Sequence, residues 1–328
     1  MVNKVSGRNA TPSINGWFFQ ISAGVYLFFK DIKNNMSLKI EGEKEDVEIK
    51  TIDGNNIYAQ VKSIENVNVR SSVWEHYDQA LRSLKEASDG NAKLIYFSNI
   101  KDPFNSTKNE SYYDYGVELS FNDLTLDVQK KIKDKIGEDF DYSKLYVEIV
   151  HFYGTNDSKK LLVSKMISSF YAKIGLSDSK VDVVYNKLIV EGLMNASNKK
   201  VKMKKDELVY YVITPFLVET ISMSEFQKIM DEEYYDECVD YYEKFLYTES
   251  LQYSTFTKIT NDFRVYKNKN KEKGISDFIC DIYTNYLYLL DENMDIKVRE
   301  GIIKILLYKV IQKSNTISKV QREANLWL

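Results

Sequence analysis

Three short runs of alternating apolar and polar residues constrain the fold most strongly. They cover residues 37–41, 46–52 and 57–62, and the segment 53–56 (DGNN) separates the second run from the third. Alternation with a period of two is typical of half-buried strands, and a short link rich in Gly, Asp and Asn is typical of a hairpin. The sequence therefore predicts three strands, of which the last two form a hairpin.

Segments with helical spacing flank these strands. Residues 14–34 and 73–88 repeat apolar side chains at intervals of three and four, as amphipathic helices do. Residues 92–97 (AKLIYF) form a short apolar run that suits a buried strand. The predicted order is α-β-β-β-α-β, which indicates an α/β core with a mixed sheet.

The pattern changes beyond Pro103. A polar stretch (NSTKNES) follows, and residues 145–151 (LYVEIVH) are compatible with one more strand. Helical periods then dominate, over residues 157–174, 180–195, 223–248, 276–291 and 297–313. We predict an α+β chain of two domains. The α/β core covers residues 1–104, and a mainly helical assembly or regulatory domain covers residues 105–328.

Composition narrows the class of protein. Hydrophobic residues make up 44% of the chain and charged residues 28%, as in a soluble globular protein. The N-terminus lacks the apolar core of a signal peptide, and no run approaches the roughly 18 apolar residues that span a bilayer. We expect a cytoplasmic protein without membrane association.

The cysteines and histidines do not form a recognisable metal-binding or catalytic motif. The chain has 2 cysteines, Cys238 and Cys280, which excludes a disulfide framework and a cysteine-based zinc site. We expect both to be reduced, buried thiols. The 2 histidines, His76 and His151, are too far apart in sequence to suggest a metal cluster or a catalytic triad.

The third predicted strand carries Gln60 and Lys62 on one face, because alternate side chains of a strand share a face. Whether Asp46 joins them depends on the hairpin register. A three-residue loop, 53–55, would place Asp46 opposite Lys62 and Glu48 opposite Gln60, whereas a two- or four-residue loop would reverse the face of the second strand. A shared site therefore requires the three-residue loop or a bulge near Asp46.

These residue types match the needs of phosphodiester hydrolysis. A hard cation, Mg²⁺ or Mn²⁺, held by oxygen ligands polarises the phosphate and activates a water molecule. A lysine stabilises the charge that develops, and Lys62 could take this role. The possible oxygen ligands are Asp46, Glu41 or Glu43, the side chain of Gln60 and the carbonyl of Val61.

The element order, with Asp46 followed by Gln60-Val61-Lys62, resembles the PD-(D/E)xK nuclease superfamily, in the variant where glutamine replaces the second acidic residue, as in Mrr-like enzymes. Residues 16–20 (GWFFQ), 40–41 (IE), 45–47 (EDV) and 59–63 (AQVKS) are more narrowly similar to a double-stranded DNA endonuclease domain of bacterial anti-phage effectors. That domain occurs in CD-NTase-associated effectors and beside HerA-like ATPases. The similarity covers about residues 12–100.

The resemblance implies an endonuclease that cleaves double-stranded DNA with Mg²⁺ or Mn²⁺ as the effector of a defence system. It implies a partner ATPase or sensor protein, self-assembly into a homo-oligomer, or both. The implied catalytic residues are Asp46, Gln60 and Lys62. The implied metal ligands are Glu41, Asp46, Gln60 and the carbonyl of Val61.

Four further residues are candidates for contact with the substrate. The resemblance implies that Gln20 reaches toward the metal or the DNA; alternatively, it is a buried amide that satisfies backbone groups at a strand end. Ser63, directly after the motif, could bond a phosphate. Lys199 and Lys200 open a basic cluster that spans 199–205.

The charge balance argues against DNA binding by this chain alone. The net charge is −3, and residues 1–104 contain 13 Lys and Arg against 13 Asp and Glu. No domain-wide positive field therefore attracts DNA. The phosphates would have to bind to the local basic clusters at 199–205 and 264–273; alternatively, these clusters are solvated loops. The apolar C-terminus, 325–328 (NLWL), docks on its own domain or meets a partner.

Two other functions fit the same residues. A non-catalytic nucleic-acid-binding or assembly module on a nuclease-derived fold would let Asp46 and Lys62 diverge to opposite faces of the sheet. An RNA-directed nuclease would share the site with a DNA nuclease, and the sequence does not separate the two.

Overall fold

The computed structural model describes residues 11–64, 73–100, 103–104, 115–198, 200–248 and 252–326. At residues 11–13, 73–76 and 248 it describes the backbone alone. The chain divides into two compact units. Unit 1 joins Met1–Ser169 with Tyr185–Lys205, and unit 2 joins Phe170–Val184 with Asp206–Leu328.

A mixed sheet of seven strands forms the centre of unit 1. The strands are β1 (Asn35–Ile40), β2 (Val47–Thr51), β3 (Asn56–Lys62), β4 (Lys93–Ser98), β5 (Val117–Ser120), β6 (Leu145–Ile149) and β7 (Met203–Lys204). Their order across the sheet is β5-β6-β4-β3-β2-β1-β7. The strands β3, β4 and β6 run parallel, and the other pairs are antiparallel.

Helices cover both faces of this sheet. The helices up to β7 are α1 (Thr11–Lys30), α2 (Val73–Ala87), α3 (Leu126–Ile136), α4 (Asn156–Ile174) and α5 (Val181–Ser197). α1 packs on β1, β2 and β3 so closely that a Cβ at Gly24 would lie 2.2 Å from Cδ1 of Ile40. α2 and α3 share a core with Tyr58 and Tyr96 on the opposite face. The predicted α-β-β-β-α-β order and the α+β class are confirmed.

The covering by α2 changes the environment of the third strand. Tyr58 and Gln60 are buried, as are Ala59 and Val61 between them. The third strand is therefore not half-buried in the way that its alternation predicts, because α2 lies over the face that carries Gln60. Polar groups on this face need partners within the protein, since burial without hydrogen bonds is costly.

The hairpin register differs from the one predicted. Val47 pairs with Ala59 and Glu48 pairs with Tyr58, so Asp46 lies level with Gln60 instead of Lys62. The loop has three residues, but they are 52–54, since the Thr51 amide donates to the Asn55 carbonyl at 3.0 Å. A shift of two residues preserves the face of every side chain. Asp46, Gln60 and Lys62 consequently share a face, as a common site requires.

The sheet continues beyond the predicted domain boundary at residue 104. The possible strand at 145–151 is β6, and it pairs with β4 inside the same sheet. β7 returns to pair with Ser37 and Leu38 of β1. Buried Lys39 joins this return to the sheet by donating to the carbonyls of Asn195 (2.6 Å) and Asn198 (2.8 Å) at the end of α5. Residue 104 thus does not mark the end of the compact unit.

Unit 2 is built from helices. Beyond β7 these are α6 (Lys205–Leu217), α7 (Met223–Phe226), α8 (Tyr235–Thr248), α9 (Tyr253–Lys269), α10 (Ile275–Ile282), α11 (Ile296–Gln312) and α12 (Ser314–Glu323). The single helix predicted over 223–248 is two helices with a 3₁₀ turn at Glu232–Tyr234 between them. Cys238 is buried, whereas Cys280 is exposed, contrary to expectation. In the part of the chain that the structure describes, no helix has the length and apolar character to cross a membrane.

Candidate active site

One carboxylate, one amide and one ammonium group converge where β2 begins and β3 ends. Gln60 Nε2 donates a hydrogen bond to Asp46 Oδ2, and the Val61 amide donates to the same oxygen at 2.8 Å. The Lys62 ammonium lies 4.0 Å from Asp46 Oδ2. We call Asp46, Gln60, Val61 and Lys62 the Asp46 cluster. The structure brings together the residues that the sequence analysis selected for catalysis.

The Asp46 cluster is open to solvent on one side. The side chain of Lys62 is 34% exposed and that of Asp46 is 15% exposed, whereas Gln60 is buried. Gln60 therefore forms the inner wall, and Lys62 stands at the rim. A phosphate arriving from solvent would meet the lysine first and the carboxylate behind it.

The turn between β1 and β2 holds Asp46 in place. The Glu41 amide donates to the Asp46 carbonyl at 2.8 Å, so Glu41 lies across from Asp46 at this edge of the sheet. Its backbone has a φ of 51°, a conformation that L-residues adopt with strain. Glu48 accepts a hydrogen bond from the Lys44 amide at 2.7 Å and stabilises the turn. Glu43, the alternative carboxylate ligand in this turn, is exposed.

Glu45 is a buried acid beside the cluster that the sequence analysis did not select. It is 5% exposed, and Ser83 of α2 donates to its Oε1 at 2.8 Å. Its Oε2 is buried and has no hydrogen-bond partner among the described residues. Burial raises the pKa of Glu45 to about 7, and the charge of Asp46 adds to this rise while Lys62 opposes it. Glu45 therefore shares the electrostatic environment of Asp46 and Lys62.

Glu45→Gln should change how stability depends on pH. The folded pKa of about 7 lies above the usual value of 4.5, so the folded state keeps its proton between these values while the unfolded chain releases it. Wild type is then expected to lose stability as pH rises from about 5 to 8. Glutamine stays neutral, so the variant should have the higher thermal midpoint at pH 8 and a similar one at pH 5.

Thermal unfolding in EDTA at pH 5, 6, 7 and 8 measures this difference. Glu43→Gln is the matched control, because Glu43 is an exposed glutamate in the same turn. Parallel pH curves for wild type and Glu45→Gln would show that Glu45 does not hold a proton in the folded state.

The donor set suits a hard cation. The described contacts of the Asp46 carboxylate all fall on Oδ2. The Val61 carbonyl points toward the same edge as its amide, because both groups of a strand residue point in one lateral direction. Among the described residues no three His, Cys, Asp or Glu side chains form a metal cluster. A cation here would therefore need the amide and carbonyl oxygens as well as the carboxylate, which Mg²⁺ and Mn²⁺ accept.

No family model, curated protein or solved structure matches this chain. The geometry of the Asp46 cluster is therefore the main indication of function.

The predicted substrate contacts do not all join the cluster. Gln20 is half-buried in α1, on the opposite face of the sheet from Gln60. Ser63 directly follows β3 and lines a cleft at its end. Lys199 lies outside the described residues. Lys200 is exposed and precedes β7, a strand that lies three positions and so about 14 Å from β3.

Some lysines of the basic clusters at 199–205 and 264–273 form hydrogen bonds or ion pairs within the protein. Lys205 is buried and donates to the Lys33 carbonyl at 2.9 Å. In unit 2, Lys273 forms an ion pair with Asp281 at 2.7 Å, and Lys267 donates to the Lys273 carbonyl at 2.6 Å. These lysines serve local structure, so neither cluster forms a continuous basic surface from all its members.

The histidines and the apolar C-terminus add no described contact to the Asp46 cluster. The ring of His151 lies 4.0 Å from that of Tyr153 and 5.4 Å from that of Tyr115. The side chain of His76 and residues 327–328 of the apolar C-terminus lie outside the described residues.

Proposed function

We propose that this protein is an endonuclease of the PD-(D/E)xK type and cleaves double-stranded DNA with Mg²⁺ or Mn²⁺. The observation that carries the proposal is the convergence of the Asp46 carboxylate, the Gln60 amide and the Lys62 ammonium at one end of the β2–β3 hairpin. A solvated strand face would leave these groups in water; here the amide is buried and aimed at the carboxylate.

Each group of the cluster has a defined role in this proposal. A bound cation supplies Lewis-acid polarisation of the phosphate and lowers the pKa of a bound water molecule. Asp46 would hold the cation, and the Gln60 side-chain oxygen and the Val61 carbonyl would complete the oxygen set. The Gln60 amide would have to turn for this, because its Nε2 donates to Asp46 in the structure. Lys62, at the solvent rim, binds a non-bridging phosphate oxygen and stabilises the negative charge that grows on it in the transition state. A P–O bond to the water oxygen forms and the P–O bond to the leaving sugar oxygen breaks; the water loses a proton to solvent, and the sugar oxygen takes one from solvent.

The two alternative functions make different predictions for the arrangement of Asp46 and Lys62. A non-catalytic module predicts that Asp46 and Lys62 diverge to opposite faces, and the observed register does not favour that arrangement. An RNA-directed nuclease would use the same cluster, so the substrate has to be tested directly. We further propose that an ATPase, a sensor protein or self-assembly helps to hold the DNA, because a chain with a net charge of −3 has no overall positive field to attract it. The proposed defence setting rests on the family resemblance alone.

Metal removal tests the proposal. Purified protein is incubated with supercoiled plasmid and with duplex RNA of matched length, alone and with the products of neighbouring genes. We expect cleavage of the plasmid in Mg²⁺ or Mn²⁺, loss of cleavage in EDTA, and recovery when excess Mg²⁺ is restored. Cleavage that persists in EDTA would contradict the metal-dependent mechanism. Faster cleavage of RNA would select the RNA-directed alternative, and no cleavage under any condition would favour the binding module.

A further inference from the structure

A cleft of about 460 Å³ opens where the parallel strands β3, β4 and β6 end. It belongs wholly to unit 1. Its walls include two amides, a hydroxyl, an ammonium and two aromatic groups, from Asn15, Asn99, Ser63, Lys159, Phe152 and Tyr153. The carboxyl ends of parallel strands are the usual place for ligand sites in such sheets.

The floor of the cleft is held by one buried side chain. Asn99 is 1% exposed and donates from Nδ2 to the carbonyls of Ile64 at 2.9 Å and Phe152 at 2.8 Å. Its Oδ1 accepts the Ile64 amide at 2.9 Å. The segments that follow β3, β4 and β6 are thus joined through a single amide. The cleft is built before any ligand arrives, which reduces the entropy lost on binding.

The lining favours an anionic ligand with an aromatic ring. Lys159 is half-buried, with its ammonium 5.9 Å from the Phe152 ring centre and 3.4 Å from Asn15 Oδ1. None of the described residues that line the cleft is acidic. The Tyr153 ring centre lies 4.0 Å from that of His151 and 6.2 Å from that of Tyr115. A lysine beside an aromatic surface is the combination that binds a phosphate and its adjoining base.

The position of the cleft links it to the Asp46 cluster. Ser63 lines the cleft and directly follows Lys62, so their Cα atoms are about 3.8 Å apart. Successive side chains of an extended strand point to opposite faces, so Lys62 lies on the α2 side of the sheet and Ser63 on the α1 side. A nucleic acid strand with one phosphate at Lys62 would cross the carboxyl edge of β3 and enter the cleft.

We propose that this cleft binds one nucleotide of the substrate strand next to the scissile phosphate, with its phosphate on Lys159 and its base extruded from the duplex and placed against Tyr153. The assignment rests on the proposed nuclease function, because it takes the ligand to be a nucleic acid strand. It adds a substrate subsite on the opposite face of the sheet from the reacting groups.

Binding measured without cleavage tests the subsite. The dissociation constant for a fluorescent DNA duplex is measured in EDTA for wild type, Lys159→Ala and Lys160→Ala. Lys160 is the matched control, because it is the next residue and its ammonium lies over Tyr185, away from the cleft lining. Lys159→Ala should raise the dissociation constant about tenfold and reduce the slope of affinity against salt by about one phosphate contact. Equal effects of the two substitutions would overturn the proposal.

The aromatic contact is tested separately. Tyr153→Ala should weaken binding by roughly 5- to 100-fold, whereas Tyr153→Phe keeps the stacking surface and should bind like wild type. Circular dichroism melting confirms that each variant is folded. A free mononucleotide that binds wild type as tightly as the duplex would overturn the assignment to a strand, in favour of a nucleotide pocket.

The two proposals fail in different ways. If binding depends on Lys159 but no metal, substrate or neighbouring protein yields cleavage, the nuclease mechanism is wrong and the subsite stands. If wild type cleaves DNA and Lys159→Ala leaves both binding and the KM for cleavage unchanged, the subsite is wrong and the nuclease mechanism stands.

Discussion

Lys62→Ala is expected to lower the rate of duplex DNA cleavage by about 10²- to 10³-fold, the loss typical when one group that stabilises transition-state charge is removed. The fold should survive this change. Lys62 is 34% exposed, and its one described ion pair, with Asp46 at 4.0 Å, is long. Such pairs contribute about 0–1 kcal/mol to stability. Single-turnover cleavage of supercoiled plasmid at saturating Mg²⁺ measures the rate, and thermal unfolding measures the stability.

Lys50→Ala provides the matched control. Lys50 is an exposed lysine on the same hairpin, at the far end of β2 from the Asp46 cluster. The two variants lose the same charge, so a general effect on DNA attraction would appear in both. A fall in rate confined to Lys62→Ala supports a role at the reacting phosphate. Equal rates for both variants and wild type would remove Lys62 from the mechanism.

The β2–β3 hairpin shows what the sequence can and cannot predict. Alternation identified both strands and assigned Gln60 and Lys62 to one face, because a period of two fixes the face of each residue. It did not fix which residues pair. Loops at 52–54 and 53–55 preserve the same alternation and differ by two residues in register. Pairing depends on how the whole hairpin packs, which local sequence does not encode.

Glu45 was missed for a related reason. Glu45 directly precedes the alternating run 46–52, so the period of two did not assign it to a face of the sheet. The turn before β2, with Glu41 at a positive φ, interrupts the alternation and brings the Glu45 carboxylate against Ser83 of α2. An acidic pair immediately before a strand was the available signal, but only the tertiary contact shows that one of its members is buried.

The predicted domain boundary at residue 104 was misplaced because short strands have too few residues to show a clear period of two. β5 has four residues and β7 has two. Each is defined by the strand it pairs with, β6 and β1, and not by its own composition. Helix α9 was not among the predicted helical segments, although its Phe256 and Ile259 are buried. Tertiary burial outweighed weak local propensity here.

Asp46→Asn is expected to abolish the response to metal while preserving the hairpin. The amide oxygen of asparagine can still accept the hydrogen bond that the Val61 amide makes at 2.8 Å, so residue 46 should stay in position. The negative charge that attracts a divalent cation is lost. Saturating Mg²⁺ should raise the thermal midpoint of wild type by roughly 5–10 °C at about 100 times Kd, and it should not raise that of Asp46→Asn.

The same variant should cleave plasmid at least about 10²-fold more slowly than wild type, because the cation no longer polarises the phosphate. Asp53→Asn is the matched control: it makes the same chemical change in the loop at the other end of the hairpin, where Asp53 accepts hydrogen bonds from Thr51 and Asn55. Asp53→Asn should keep both the metal response and the activity. If Asp46→Asn retains the Mg²⁺-induced rise in thermal midpoint but loses cleavage, the cation binds elsewhere and Asp46 acts on Lys62 or the attacking water. If it retains both, the Asp46 cluster is not the active site.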